Sequence, residues 1–222
     1  MARLTLALIA AVACFALLIF WPAGRTDWPA GWLYLGIVTL NFIINMLYLR
    51  RANPGLIEAR MHVGPGTKRW DMVWGAIFAP VLLAVYVIAG FDAVRYQWSA
   101  MSPWWWPLGL MLFVPGTVLF TWSMSVNPFF EKTVRIQTER GHRVIDTGPY
   151  AIVRHPGYLG FFGWCLSAPL LLGSWWALLP AAISVAALVL RTALEDRTLR
   201  AELQGYEAYA ARVRHRLIPG VW

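Results

Sequence analysis

Long apolar runs broken by short polar stretches dominate this chain. Runs of roughly 20 apolar residues, enough for a helix to cross about 30 Å of hydrocarbon, fall near 4–21, 30–49, 71–90, 104–126 and 175–190. A shorter run, 158–173, reads as one arm of a hairpin turning at Gly173-Ser174. The first run is too long for a signal peptide and no small-residue cleavage site follows it, so it is read as a span. The pattern predicts an all-α, polytopic transmembrane helical protein of five to six spans. Beyond residue 190 the period changes. Leu199, Leu203, Tyr206, Ala210 and Val213 recur at three- and four-residue steps, interrupted by Gly205, and predict a C-terminal amphipathic cytoplasmic helix.

Composition supports the membrane class: 59% of the 222 residues are hydrophobic and only 14% charged. The formal charge of +8 would suit a nucleic-acid binder, but its distribution argues against one. Of the 19 Lys and Arg, only Arg25 and Arg95 lie in the 22–29 and 91–103 loops. The remainder cluster at the N-terminus, in 50–70, in 127–157 and after 190, which the positive-inside rule assigns to the cytoplasm. Six crossings then put both termini inside. Tryptophan gives the same topology, since Trp21, Trp28, Trp32, Trp98, Trp104, Trp105, Trp106, Trp175 and Trp176 map to the opposite ends of the spans, where indole favours the interface. Cys14 and Cys165 fall within spans and suggest neither a disulfide nor a metal site.

No internal repeat or low-complexity linker divides the chain, so residues 1–222 are expected to form a single membrane domain. Residues 1–126 read as scaffold and lipid-substrate spans. Asn41 with Asn45, and Thr117 with Thr121, share helix faces as interhelical hydrogen-bond partners. The 50–70 loop reads as turns around a short amphipathic piece carrying Arg60 and His62, its cations setting topology and meeting lipid phosphates. Polar chemistry concentrates in 127–222.

There, stepping the 199–213 stripe back by four residues brings Glu195 and Arg191 onto one face where the last span exits. An Arg at the bilayer centre would cost ~3 kcal/mol, so Arg191 belongs at the boundary, in the same layer as Arg154 and His155. Gly148-Pro149-Tyr150 and Arg154-His155-Pro156 form two rigid turns opening into the next helix, Pro156 at its permitted first turn. Together these groups supply cations for a carboxylate, an acid for an ammonium, and aromatic faces for a ring or a cation. There is no phosphate-cradling loop, no dinucleotide glycine pattern after a strand, and no Ser-His-Asp order. The four His are too scattered for a metal site.

The ordered motifs Gly141-His142-Arg143-Val144-Ile145-Asp146-Thr147-Gly148-Pro149-Tyr150, Val153-Arg154-His155-Pro156-Gly157-Tyr158, Arg191-Thr192 with Glu195-Asp196, Gly205, Tyr209-Ala210-Ala211-Arg212-Val213 and Leu217-Ile218-Pro219 resemble the isoprenylcysteine carboxyl methyltransferase family over about 127–222. The resemblance implies a membrane-embedded methyltransferase that takes S-adenosylmethionine and is not of the Rossmann type. It places His142, Val144, Gly148, Tyr150, His155, Tyr158 and Glu195 at the cofactor, making 127–222 the cofactor-binding catalytic half.

On that reading Arg191, Glu195 and Arg154 are catalytic. Arg191 orients an anionic acceptor, Glu195 binds the cofactor's ammonium and holds Arg191, and Arg154 with His155 anchors the cofactor's carboxylate end. Adenine rests among Tyr150, Val144 and their apolar neighbours. The acceptor is lipophilic or small, a carboxylate or thiolate such as isoprenylcysteine, entering from the membrane lipids. No metal or nucleic acid is involved. The alternatives are a phospholipid N-methyltransferase, an NADPH-dependent sterol or steroid reductase sharing the C-terminal signature, and a non-catalytic membrane scaffold. The expected location is a bacterial cytoplasmic membrane, with both termini cytoplasmic.

Overall fold

A computed structural model describes residues 2–222, with side chains from residue 9 onward. The chain is all-helical, with no strand among the described residues. Helices α1 (Ala2–Ala23), α2 (Pro29–Ala52), α4 (Arg69–Gly90), α5 (Trp106–Val126), α6 (Pro156–Leu172) and α7 (Leu178–Glu202) overlap the six apolar runs, α7 continuing well past the end of its run at 190; α3 (Pro54–Ala59) and α8 (Tyr206–Arg212) are short. Pro29, Pro54 and Pro156 each open a helix, where the missing N–H costs nothing. Pro22, Pro80, Pro115 and Pro169 sit inside helices that run on through them, as membrane helices tolerate.

Among the residues whose side chains are described, four helices are long and apolar enough to cross a membrane: Pro29–Ala52, Arg69–Arg95, Pro103–Val126 and Leu178–Glu202, the second and third counted with their flanking turns. Ile9–Ala23 and Pro156–Leu172 are shorter apolar helices. Large apolar side chains such as Leu17, Ile77, Met111 and Val118 stand exposed on these helices. A helix that is apolar on its outer face as well as its inner one belongs in lipid, and the chain is an integral membrane protein.

Two compact units are each assembled from three separated segments. The first comprises residues 1–44, 79–113 and 164–184. Its core packs Ile19, Tyr34, Val85, Tyr86, Phe113 and Leu171. At one end the buried Asp92 carboxylate accepts from Ser99 N (2.8 Å), Ser99 Oγ (2.7 Å) and Ser174 Oγ (2.6 Å), tying the turn after α4 to the turn between α6 and α7.

The second unit comprises residues 45–78, 114–163 and 185–222, and it contains every candidate site residue. Leu49, Leu56 and Met124 pack in it with Phe120 and Phe130. Thr121 hydrogen-bonds Asn45 across helices, the interhelical role expected of both. The C-terminal stripe differs from the single amphipathic helix that its spacing predicts. α7 runs unbroken to Glu202, the chain turns at Gly205 with φ +80°, and α8 is only seven residues long. Leu203, Tyr206, Tyr209, Ala210 and Val213 still meet, with Leu199 against them, because the turn folds the two helical pieces onto one apolar cluster.

Candidate functional site

Arg191 lies on α7 with its residue 9% exposed, so its charge must be compensated within the protein. Asp71, in the first turn of α4, does so with a two-point bond: Nε to Oδ1 at 2.8 Å and Nη2 to Oδ2 at 3.2 Å. An acid is favoured at that position by the helix N-terminus. Asp71 also accepts from Val134 N at 2.7 Å, and Lys132 O accepts from Arg191 Nη2 at 2.7 Å. The guanidinium lies 4.6 Å from the Trp74 ring centroid and 5.5 Å from that of Tyr158. Nη1 alone has no partner among the described residues. One turn along α7, Glu195 accepts from the Tyr158 hydroxyl through Oε2.

A second polar centre forms around Asp196, which is fully buried. Its Oδ1 accepts from Arg154 Nε (2.7 Å) and Tyr206 OH (3.1 Å), with His155 Nε2 at 3.3 Å; its Oδ2 accepts from Arg154 Nη2 (3.1 Å), Arg200 Nε (3.2 Å) and Arg216 Nε (3.0 Å). Arg154 Nη1 donates to Val213 O and Arg214 O, both at 2.7 Å. The backbone N–H groups of Arg154 and His155 donate to His215 O and Arg216 O. Arg154 thus has every side-chain nitrogen committed to the fold. As placed, it positions the C-terminal segment and has no donor left over for a cofactor carboxylate.

The remaining candidates lie on the segment before α6. Gly148 takes φ +58°, a backbone that a side chain would strain, and a Cβ there would come within 3.1 Å of the Trp122 indole nitrogen. Tyr150 is buried; its hydroxyl accepts from Asn127 Nδ2 at 3.1 Å and its carbonyl accepts from Tyr209 OH at 2.7 Å. Burial raises its phenol pKa well above the ordinary value, and the nearby Glu195 carboxylate adds to that. His142 stacks on Phe129, and its Nδ1 accepts from Gln137 N at 3.2 Å. Burial, with Arg135 nearby, pulls the His142 pKa down to about 4. Val144 packs against the C-terminal cluster and also borders an open cleft of about 520 Å³. That cleft runs along 143–147, faced by Ala52, Asn53, Ser125, Val126 and Pro128.

The structure therefore gathers Arg191, Glu195 and Tyr158 around one point, with the His155 ring stacked against Tyr158 at 5.9 Å. Tyr150 lies near enough to the Glu195 carboxylate to feel its charge, but its bonds run to Asn127 and Tyr209. The donor set suits a small zwitterionic cofactor bearing a flat ring. Glu195 is half-buried and keeps Oε1 without a partner among the described residues, an acceptor for an ammonium. Of the candidate residues, Val144 lines the cleft, while Tyr158, Arg191 and Glu195 do not.

A family model described as the isoprenylcysteine carboxyl methyltransferase (ICMT) family matches residues 109–201. That segment is under half of the chain, and over it the sequence resembles this family. A protein-S-isoprenylcysteine O-methyltransferase of Saccharomyces cerevisiae is 38% identical over 66 residues, 29% of this chain and 28% of that protein. Protein-S-isoprenylcysteine O-methyltransferase B of Arabidopsis thaliana is 28% identical over 98 residues, 44% of this chain and 47% of that protein. The chain thus spans less than half of either relative. Among solved structures, the eukaryotic intramembrane Ras methyltransferase ICMT superposes with a TM-score of 0.51 at 18% identity, covering 100% of this chain and 87% of that one. At that identity the likeness concerns the fold alone.

The family segment includes Gly148, Tyr150, Arg154, His155, Tyr158, Arg191, Glu195 and Asp196, but Asp71, Arg60, Trp74 and the tail beyond 201 lie outside it. Two residues central to the geometry did not stand out from the sequence. Asp71 could have been suspected as a lone acid in the first turn of an apolar run. Asp196 sits beside Glu195, yet adjacent helical residues point about 100° apart, so the two acids serve different centres.

Proposed function

We propose that the chain is an integral-membrane methyltransferase that moves the methyl group of S-adenosylmethionine to a lipophilic or small acceptor, a carboxylate or thiolate of the isoprenylcysteine type. One observation carries the reading: a half-buried carboxylate, Glu195, stands one helical turn from an arginine fixed between two aromatic rings, inside the segment that matches the family. Residues 127–222 then form the cofactor-binding half and 1–126 the spans that receive the acceptor.

The methyl donor supplies an electrophilic carbon on a sulfonium, and methyl transfer requires nucleophile, carbon and leaving sulfur in line at near-attack distance. Positioning is therefore the protein's main task. Asp71 and Lys132 O orient Arg191 so that Nη1 is left to direct an anionic acceptor. Glu195, braced by the Tyr158 hydroxyl, offers its second oxygen to the donor's ammonium. Gly148 and Tyr150 shape the wall towards the flat ring, with Val144 and His142 beyond them. Asp196, holding Arg154 and His155, keeps the start of α6 and therefore Tyr158 in place. A carboxylate or thiolate acceptor carries its own lone pair and needs no general base.

The reading also puts both termini and the site on the cytoplasmic side of a bacterial inner membrane, supported by the placement of basic residues. Calorimetric titration of the purified protein with S-adenosylhomocysteine tests the core of the proposal. Saturable binding is expected, weakened at least tenfold by Glu195→Ala and by His155→Ala. No binding by the wild type, or equal binding by both variants, would refute it.

A further inference from the structure

We propose that Arg60 is a second cation of the acceptor site and, together with Arg191, receives the carboxylate of an anionic lipophilic acceptor. The inference rests on the methyltransferase reading and assigns it a specificity residue outside the family segment.

Arg60 caps the C-terminal end of α3, on the loop joining α2 to α4. It is half-buried, and its only side-chain hydrogen bond among the described residues runs from Nη1 to Phe130 O, at 2.9 Å. Its guanidinium carbon lies 5.6 Å from the Phe130 ring centroid. Two residues further along the same stretch, Lys132 O accepts from Arg191. One short segment of backbone therefore holds both guanidinium groups. The Phe130 ring presses against Gly157, where a Cβ would collide with it, and so closes the space beside Tyr158.

Glu58, two residues before Arg60, is exposed and forms no ion pair with it, and three further acids have other partners. Asp71 is bonded to Arg191. Glu131 accepts from Arg135 Nε at 2.8 Å and Nη2 at 2.9 Å, and from Arg140 Nη1 at 3.3 Å. Glu195 is bonded to Tyr158. Among the described residues Arg60 forms no ion pair, although it is half-buried. A guanidinium withdrawn from water without an anion is costly, and one with four unspent N–H donors is shaped for a two-point bond to a carboxylate. Burial is the main cause of an Arg60 pKa below its ordinary value; Arg191 adds to the lowering, while Tyr158 and Glu131 act against it.

The test compares S-farnesyl-N-acetylcysteine, a free acid, with its neutral methyl ester in direct binding to the purified protein in nanodiscs. The wild type should bind the acid at least tenfold more tightly than the ester. Arg60→Met should abolish that preference while leaving S-adenosylhomocysteine affinity within twofold, and Arg60→Lys should restore part of it. The proposal is overturned if the wild type shows no preference for the acid. It is also overturned if Arg60→Met keeps the preference, or loses acid, ester and S-adenosylhomocysteine alike. Failure of the methyltransferase reading appears separately, as absence of S-adenosylhomocysteine binding by the wild type.

Discussion

Replacing Asp71 with Ala isolates the contact that fixes Arg191. The substitution removes both oxygens of a two-point bond, an acceptor for Val134 N, and the negative charge compensating a cation whose side chain is 10% exposed. Truncating one partner of a buried pair typically costs about 3–5 kcal/mol, because the other charge is stranded. Asp71→Asn keeps the shape and one acceptor and should cost less, about 1.5–3 kcal/mol, the range for a lost charge-assisted hydrogen bond. The assay is equilibrium unfolding in mixed micelles, followed by tryptophan fluorescence. The double variant Asp71→Leu/Arg191→Met removes both charges and should recover most of the loss, giving a coupling energy of about 2 kcal/mol or more. On the proposed function it should also be inactive in methyl transfer, because stability would return without the cation assigned to direct the acceptor. The reasoning fails if Asp71→Ala stays within about 1 kcal/mol of wild type. It fails equally if the double variant is no more stable than Asp71→Ala, or if it turns over normally.

Two further perturbations test other parts of the arrangement. Asp196→Asn should loosen the C-terminal segment, measured as faster amide hydrogen exchange at Leu217 and its neighbours, since three arginines and Tyr206 converge on that carboxylate; unchanged exchange there would contradict the clamp. His142 should make stability pH-dependent. Its folded pKa is lowered to about 4 from 6.5, so its contribution is complete above pH 6.5 and is lost as pH falls towards 4, when the unfolded chain takes up a proton first. His142→Asn preserves the acceptor facing Gln137 N and should flatten the thermal-stability profile between those values; an unchanged profile would assign the dependence elsewhere.

Periodicity read the helices well because each apolar run is a local property, and lipid rewards the same length whatever the neighbours. The C-terminal stripe shows where that reasoning stops. Leu199, Leu203, Tyr206, Ala210 and Val213 do share one apolar cluster, but a turn at Gly205 brings them together, and a period of three to four residues is blind to a turn that preserves it.

The polar residues show a sharper limit, since a sequence displays charges and not their partners. Glu195 is four residues from Arg191, and i,i+4 spacing names it as the partner. The fold chooses Asp71, 120 residues away, because a carboxylate arriving from a different helix can meet the guanidinium fork at two points. That choice leaves Glu195 with an oxygen to spare. Likewise, Arg154 is prominent as a cation beside a helix start, and only the fold reveals that its donors are consumed by Asp196 and the Val213 and Arg214 carbonyls. Arg60 is the reverse case: inconspicuous among the loop cations, it becomes significant once Asp71, Glu131 and Glu195 are seen to be paired with other residues. A candidate cation in such a protein is therefore judged by the donors left after tertiary pairing, and by that measure Arg191 Nη1 and Arg60 both keep capacity for an anion.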